Sequence, residues 1–91
     1  MYFVYILSCS DKTLYTGITN NLKSRLDFHN TGKASKYTRS RLPVKYVYIE
    51  EAGEKGSALS REIQIKKLSR KKKLELINNS TNFFKEFTSN I

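Results

Sequence analysis

The chain has 91 residues, with 17 Lys and Arg against 8 Asp and Glu, a net charge of +9, and an apolar share of 38%. That length supports one modest core and one domain. The single Cys9 excludes an internal disulfide and a cysteine zinc cluster, and no run approaches the ~20 apolar residues that span a bilayer. The excess of cations points to a polyphosphate partner, nucleic acid first, whose binding weakens steeply with added salt. One lone cysteine suits a reducing, cytoplasmic setting. No basic segment precedes the first apolar run and no small-residue cleavage pattern follows it, so the N-terminus reads as a strand rather than a signal peptide.

That first run, Tyr2-Phe3-Val4-Tyr5-Ile6-Leu7, is β-branched and aromatic, which predicts a strand over residues 2–8. Its two faces, Phe3/Tyr5/Leu7 and Tyr2/Val4/Ile6, both lack charge, so it is expected at the centre of a sheet with cover on each side. A polar stretch suited to a hairpin loop follows. Leu14-Tyr15-Thr16-Gly17-Ile18-Thr19 then reads as the antiparallel partner over residues 14–19. Tyr15 and Gly17 share a face. A glycine inside a strand weakens it, so a bulge or a close approach is expected there.

Asn20 or Asn21 caps a helix from about Leu22 to Asn30, which Gly32 ends in a left-handed turn. Leu22 and Leu26 face the core, and Arg25 and His29, one turn apart, form a ridge at its margin. Residues 33–43 hold four basic side chains and Tyr37 with no acid, and read as a loop. Pro43 keeps the chain extended before a third strand, Val44 to Ile49 or Glu51, expected at a sheet edge. A helix between strands two and three places strand three beyond strand one, in the order 2-1-3. Gly53 and Gly56 flank a turn, and Ser57 caps a second helix reaching about Leu68. Ala58, Leu59, Ile63, Ile65 and Leu68 form its apolar surface. Glu62 falls within that arc, where a carboxylate needs a partner; Lys66 is one turn on. Ser69 caps a third helix, Arg70 to Asn78, with Leu74 and Ile77 inward.

The expected fold class is therefore α/β (α+β), a three-stranded antiparallel-type sheet flanked by about three helices. It makes one domain over residues 1–80, with a tail over 81–91 carrying Phe83, Phe84 and Phe87, docked or frayed.

Geometry singles out five polar residues: Tyr5, Tyr15, Arg25, His29 and Glu62. Each also has an ordinary use. The tyrosines can be core filler with a wet tip, Arg25 a surface ion-pair partner, and His29 a cap on the last helical carbonyls. Glu62 can be half of an exposed pair with Lys66. Tyr37, among Lys36, Arg39 and Arg41, can stack on a base while the cations track phosphates, or sit in a plain surface loop. Arg70-Lys71-Lys72-Lys73 reads as a solvated helix face.

The paired motifs Phe3-Val4-Tyr5 and Tyr15-Thr16-Gly17, then Arg25, His29 and a later helical Glu62, resemble the GIY-YIG nuclease superfamily over residues 2–78. The tracts Lys36-Tyr37-Thr38-Arg39-Ser40-Arg41-Leu42-Pro43 and Arg61-Glu62 resemble its small stand-alone bacterial members. Phe3-Val4 replaces Gly-Ile in the first motif and Thr16 replaces Ile in the second, with the tyrosines kept. The superfamily's late asparagine corresponds to Asn78, although Asn79 is adjacent.

The resemblance implies endonucleolytic hydrolysis of DNA with one Mg²⁺ or Mn²⁺, and a part in DNA repair or recombination. Glu62 would hold the metal. Arg25 would grip a non-bridging oxygen in a fork that lysine cannot copy. Tyr5 would orient or deprotonate water, helped by cations that favour the phenolate. Tyr15 would share that work, and His29 would shuttle the proton or contact phosphate. Lys36, Tyr37, Arg39 and Arg41 would contact nucleic acid, with Gly17 and Asn78 structural beside the site. A bare domain of this size would cut weakly, cut only branched or damaged DNA, or only bind. The rivals are a non-catalytic nucleic-acid-binding module with the same fold, and a structural protein whose phenylalanine tail docks a partner or a second copy.

Overall fold

The computed structural model describes residues 1–79. The tail with Phe83, Phe84 and Phe87, and the boundary after residue 80, lie outside the described residues. The chain runs β1 (Tyr2–Ser8), β2 (Leu14–Thr19), α1 (Leu22–Asn30), α2 (Lys36–Arg39), β3 (Lys45–Gly53), α3 (Lys55–Lys66) and α4 (Arg70–Asn78). Both strand pairs are antiparallel and the sheet order is β2-β1-β3. The uncharged first strand thus takes the centre, and Val4, Tyr5, Ile6 and Leu7 are fully buried.

Alternation along β1 splits the core into two layers. On one face Tyr5 and Leu7 pack with Leu22 of α1 and with Val44, Tyr46 and Ile49; Tyr15 and Leu26 lean on this cluster. On the other, Val4 and Ile6 pack with Tyr48 and with Ala58 and Ile65 of α3, and Leu76 and Ile77 of α4 close it. Strict alternation would put Tyr46 and Tyr48 on the same face. A register shift between Ile6, paired with Tyr48, and Leu7, paired with Tyr46, separates them. The extra residue, Val47, is a β-bulge. Tyr46 thereby donates to the Leu22 carbonyl of α1 at 2.6 Å, while Tyr48 donates to Glu50 at 2.6 Å.

Local chemistry sets the helix ends. Asn21 caps α1, its side chain accepting from the Ser24 amide at 3.1 Å, and Gly32 follows at φ +79°. Ser69 caps α4 through the Lys72 amide. Residues 33–43 are not all loop: Ser35 caps the single-turn α2 by accepting from the Tyr37 amide. The third strand runs on to Gly53, which alone makes the turn, at φ +74°. The second long helix begins before Ser57, with Glu54 at its N-cap, so Gly56 is helical. Its apolar surface is narrower than the pattern suggests: Ala58 and Ile65 are buried, but Leu59 and Ile63 are 42% and 54% exposed. A helix docked on one side of a sheet buries one stripe, and Leu59 and Ile63 fall outside it. No helix of the described residues is long and apolar enough to cross a membrane.

The strand glycine has a steric reason. Gly17 pairs with Tyr5 across the ladder, and a Cβ at Gly17 would lie 2.5 Å from the Tyr5 hydroxyl oxygen and 2.7 Å from its ring. Alanine in a strand ordinarily gains stability over glycine by about 0.5–1 kcal/mol. Here the buried ring must move, an overpacking cost of about 1–3 kcal/mol. Gly17→Ala is therefore expected to lower the melting temperature; an unchanged or raised value would show that the ring yields freely.

Candidate active site

Three elements deliver polar groups to one point above Gly17. β1 supplies Tyr5, whose ring crosses towards β2. The Arg25–His29 ridge of α1 meets it there. His29 is not at the core's margin but fully buried, and it does not cap the helix. Its Nε2 is 2.9 Å from the Tyr5 hydroxyl, and its Nδ1 is 3.0 Å from the Thr38 hydroxyl of α2. Arg25 donates from Nε to the same Tyr5 oxygen at 3.3 Å. One assignment of protons satisfies every contact. Thr38 donates to the Ser35 carbonyl at 3.4 Å and so accepts from His29 Nδ1–H. Nε2 then carries a lone pair and accepts from the Tyr5 hydroxyl, whose oxygen accepts from Arg25.

The electrostatics agree with that assignment. Burial, then the Arg25 charge, push His29 from 6.5 down to about 4, so it is neutral at physiological pH. Burial also raises the Tyr5 phenol above its usual value, with Tyr15 and Glu62 adding to the rise, and Arg25 only partly opposes it. Arg25 alone does not offset the desolvation of the phenol; the cations expected to favour the phenolate also include the metal and nearby lysines. Arg25 itself is raised, chiefly by its bond to Tyr5. Its terminal guanidinium nitrogens have no hydrogen-bond partner among the described residues. Arg25 lines an open hollow of about 270 Å³ together with Asn21, Ser24 and Phe28.

Tyr15 packs its edge on His29, ring centres 5.3 Å apart, and stacks on Tyr37 at 5.9 Å. Arg41 lies over the Tyr37 ring at 4.1 Å, pairs with Asp11 at 3.0 Å and donates to the Tyr37 carbonyl at 2.8 Å. Tyr37 and Arg41 therefore clamp α2 to the β1–β2 loop and hold Thr38 against His29. Asp11 is held below the usual carboxylate range by Thr13 first and Arg41 after. Lys36 and Arg39 are exposed on α2. Thr38 escaped the sequence reading; the signal was Ser35, a cap residue three positions before it.

Glu62 stands on α3, which packs on the layer opposite Tyr5. Its side chain is 17% exposed, pairs with Lys66 at 3.3 Å, and acts electrostatically on Tyr5. Arg61 beside it is anchored bidentately on Glu50 at 2.9 and 3.1 Å, and Glu50 also takes the Tyr48 hydroxyl. This pins α3 to β3 and fixes where Glu62 points. Asn78 ends α4, is exposed, and makes no side-chain hydrogen bond among the described residues. No cluster of three His, Cys, Asp or Glu able to cage a metal occurs among them either. A single accessible carboxylate still fits Mg²⁺, which keeps most of its waters and takes one or two carboxylates plus substrate phosphate.

Comparison with known proteins agrees with the fold. The family described as GIY-YIG catalytic domain matches residues 1–75. A UPF0213 protein of Syntrophus aciditrophicus is 58% identical over 76 residues, 82% of this chain and 87% of that one. UPF0213 protein CPE1444 of Clostridium perfringens is 54% identical over 81 residues, 89% of this chain and 87% of that one. The solution NMR structure of UPF0213 protein BH0048 from Bacillus halodurans superposes with a TM-score of 0.55 at 40% identity, covering 86% of this chain and 84% of that one. The chain belongs to the GIY-YIG catalytic-domain family, a nuclease-type fold, among its small UPF0213 members.

Proposed function

We propose that this protein is a divalent-metal-dependent DNA endonuclease whose centre is Tyr5, Arg25, His29, Tyr15 and Glu62. The observation that carries the proposal is the hydrogen-bonded run from Arg25 Nε through the Tyr5 oxygen to a neutral His29 Nε2. A neutral phenol is a weak base, but it can pass a proton on. Water placed on the second lone pair of the Tyr5 oxygen gives up a proton to that oxygen. In the same step the phenol's own proton moves to His29 Nε2, and the water oxygen bonds to phosphorus. The bond to the leaving oxygen breaks, and that oxygen takes its proton from solvent. The phosphate carries negative charge beside Arg25, which offsets the Arg25 charge, the lesser of the two causes that hold His29 low, burial being the larger. His29 then returns the proton to the Tyr5 oxygen, which in the same step gives its own proton to water on the substrate side.

Arg25 has terminal nitrogens available to fork two phosphoryl oxygens. Tyr15 limits the rotation of the His29 ring by edge contact, and Thr38 fixes its tautomer. Glu62 would hold the metal, which when bound supplies charge neutralisation on the phosphoryl group and at the leaving oxygen. The net charge of +9 supports a polyanionic substrate. Lys36 and Arg39 are the cations of α2 left to track phosphates, and Tyr37 and Arg41 act mainly by holding α2 in place.

One observation favours the rival, a binding module that does no hydrolysis: Lys66 already sits on the Glu62 carboxylate. Lys66 is half exposed, and one-turn helical pairs of this kind are worth only about 0.3–0.5 kcal/mol, so the ammonium yields to a divalent ion. Lys66→Met should tighten Mn²⁺ binding about twofold by that estimate, measured by calorimetry without DNA, and Glu62→Gln should abolish it. Binding unaltered by either change would move the metal elsewhere.

On a supercoiled or branched DNA substrate, Tyr5→Phe is expected to slow cleavage about 10²–10⁴-fold, and Arg25→Ala about 10²–10³-fold. Single-turnover rates check this, and wild-type cleavage that persists unchanged in Arg25→Ala and Glu62→Ala would remove the proposed roles.

The depressed His29 also links stability to pH. Its folded value, about 4, lies below the unfolded 6.5, so the unfolded chain binds the proton more readily. The contribution is complete above 6.5 and drains as pH falls towards 4, by roughly 3 kcal/mol at most at ~1.4 kcal/mol per unit. Urea melts across that window should slope for wild type and flatten for His29→Gln; equal slopes would mean that His29 titrates normally.

A further inference from the structure

Phe28 stands outside everything described so far. It lies between exposed Asp27 and buried His29 on α1, and the residue is 43% exposed. A lone exposed ring needs no explanation. This one has specific surroundings. The Arg25 guanidinium carbon is 5.8 Å from its centre, and the same guanidinium reaches the Tyr5 oxygen at 3.3 Å. The ring is thus one side chain away from the phenol.

Two open hollows flank it, of about 270 and 350 Å³, and Ser24 and Phe28 line both, so the ring forms part of the rib between them. The first hollow holds no carboxylate; Asn20 and Asn21 present amides there and Arg25 its charge. The second pairs an acid with a base, Asp27 and Lys33. Each has room for one planar ring but sits at or below the lower end of the ~300–1,000 Å³ typical of cofactor and drug pockets.

The chemistry of the rim selects the occupant. A phosphate on the terminal nitrogens of Arg25 brings the base of its own nucleotide within reach of Phe28. An aromatic face stacks on any base, and neighbouring side-chain amides can bond base edges. A base inside a duplex has both faces covered and offers none. We propose that Phe28 is a stacking platform for an unpaired base beside the phosphate held by Arg25, so that this surface takes single-stranded or locally unpaired nucleic acid. The inference rests on the reading of Arg25 as the phosphate ligand, and it specifies the substrate of that site.

The test is binding in chelator, where no cleavage occurs, by fluorescence anisotropy of one labelled oligodeoxynucleotide as a single strand and as a duplex. Phe28→Ala and Phe28→Leu should each weaken single-strand binding about tenfold, within the range typical of base stacking, with duplex binding unchanged. Phe28→Trp should restore it. The leucine variant keeps apolar bulk without a flat π face, and thermal melts of all three variants should match wild type. Quenching of 2-aminopurine in the bound strand should disappear in Phe28→Leu. Single-strand affinity unchanged in Phe28→Ala, or equal losses on both substrates, would overturn the proposal. Cleavage is scored separately with Mn²⁺. A wild type that cuts nothing but loses single-strand preference with Phe28 would sink the nuclease reading alone. Cleavage with no effect of Phe28 would sink the stacking platform alone.

Discussion

The hydrogen bond between the Tyr5 hydroxyl and His29 Nε2 depends on nearly every element being where it is. Both partners are fully buried. A buried phenol without an acceptor, or a buried imidazole without a donor, would cost about 1–3 kcal/mol each. Gly17 clears the path of the ring, Tyr46 ties the start of α1 to the sheet, and Thr38 sets the tautomer that lets Nε2 accept. Asn30 fixes the other end of α1 by pairing with the Val44 amide and carbonyl at 2.9 and 3.2 Å. The side chains suited to proton transfer are thus also those whose unpaired burial would be most destabilising. Folding and preorganisation of this centre are one event.

Much of this was legible in the chain, for identifiable reasons. The two strands of the hairpin had unbroken β-branched and aromatic runs, and their bounds agree with the structure. Asn21, Ser69 and Gly32 are caps whose chemistry is local, so the ends of α1 and α4 followed from a few residues each. Three features were not legible. The helix α2 has a single turn, too short for any periodicity. The bulge at Val47 depends on pairing with a distant strand, and it decides that Tyr46 faces the site while Tyr48 faces α3. Leu59 and Ile63 fit the helical pattern of a buried face, yet only the docking angle of α3 determines which stripe is covered. For the candidate site residues, the chain did not disclose their environments. His29 read as marginal is buried, and Arg25 alone does not offset the desolvation of Tyr5.

The positive charge is less uniform than the composition suggests. Arg41 is engaged by Asp11 and Tyr37, Arg61 by Glu50, and Arg70 by the Lys12 carbonyl. These arginines use planar forks to join elements, the task for which arginine is better suited than lysine. Arg25 differs from these: it is bonded through Nε, and its other two nitrogens have no hydrogen-bond partner among the described residues. The lysines are mostly exposed and supply a diffuse field. The division suggests why a small basic domain can attract a polyanion broadly and still bind one phosphate in a defined place: attraction and positioning reside in different residue types.

Glu62 raises a separate structural question, because its helix packs on the layer opposite Tyr5. Asp27 of α1, two residues from Arg25, makes no ion pair with it among the described residues, whereas a carboxylate one turn away would lie beside the guanidinium and close it to phosphate. Placing it on α3 keeps the two charges on separate supports, with the sheet between their helices. The cost is that the carboxylate's position depends on how α3 docks. That docking rests on a stripe containing Ala58 and Ile65 and on the Arg61–Glu50–Tyr48 network. Burial together with the Glu50 bond holds the Tyr48 hydroxyl near 12, so it remains a donor to Glu50 across the working pH range. Weakening that network would change the separation of Glu62 from Tyr5 without touching either residue. The second layer of the core therefore acts as part of the site's positioning apparatus, through a helix whose outward face remains unburied.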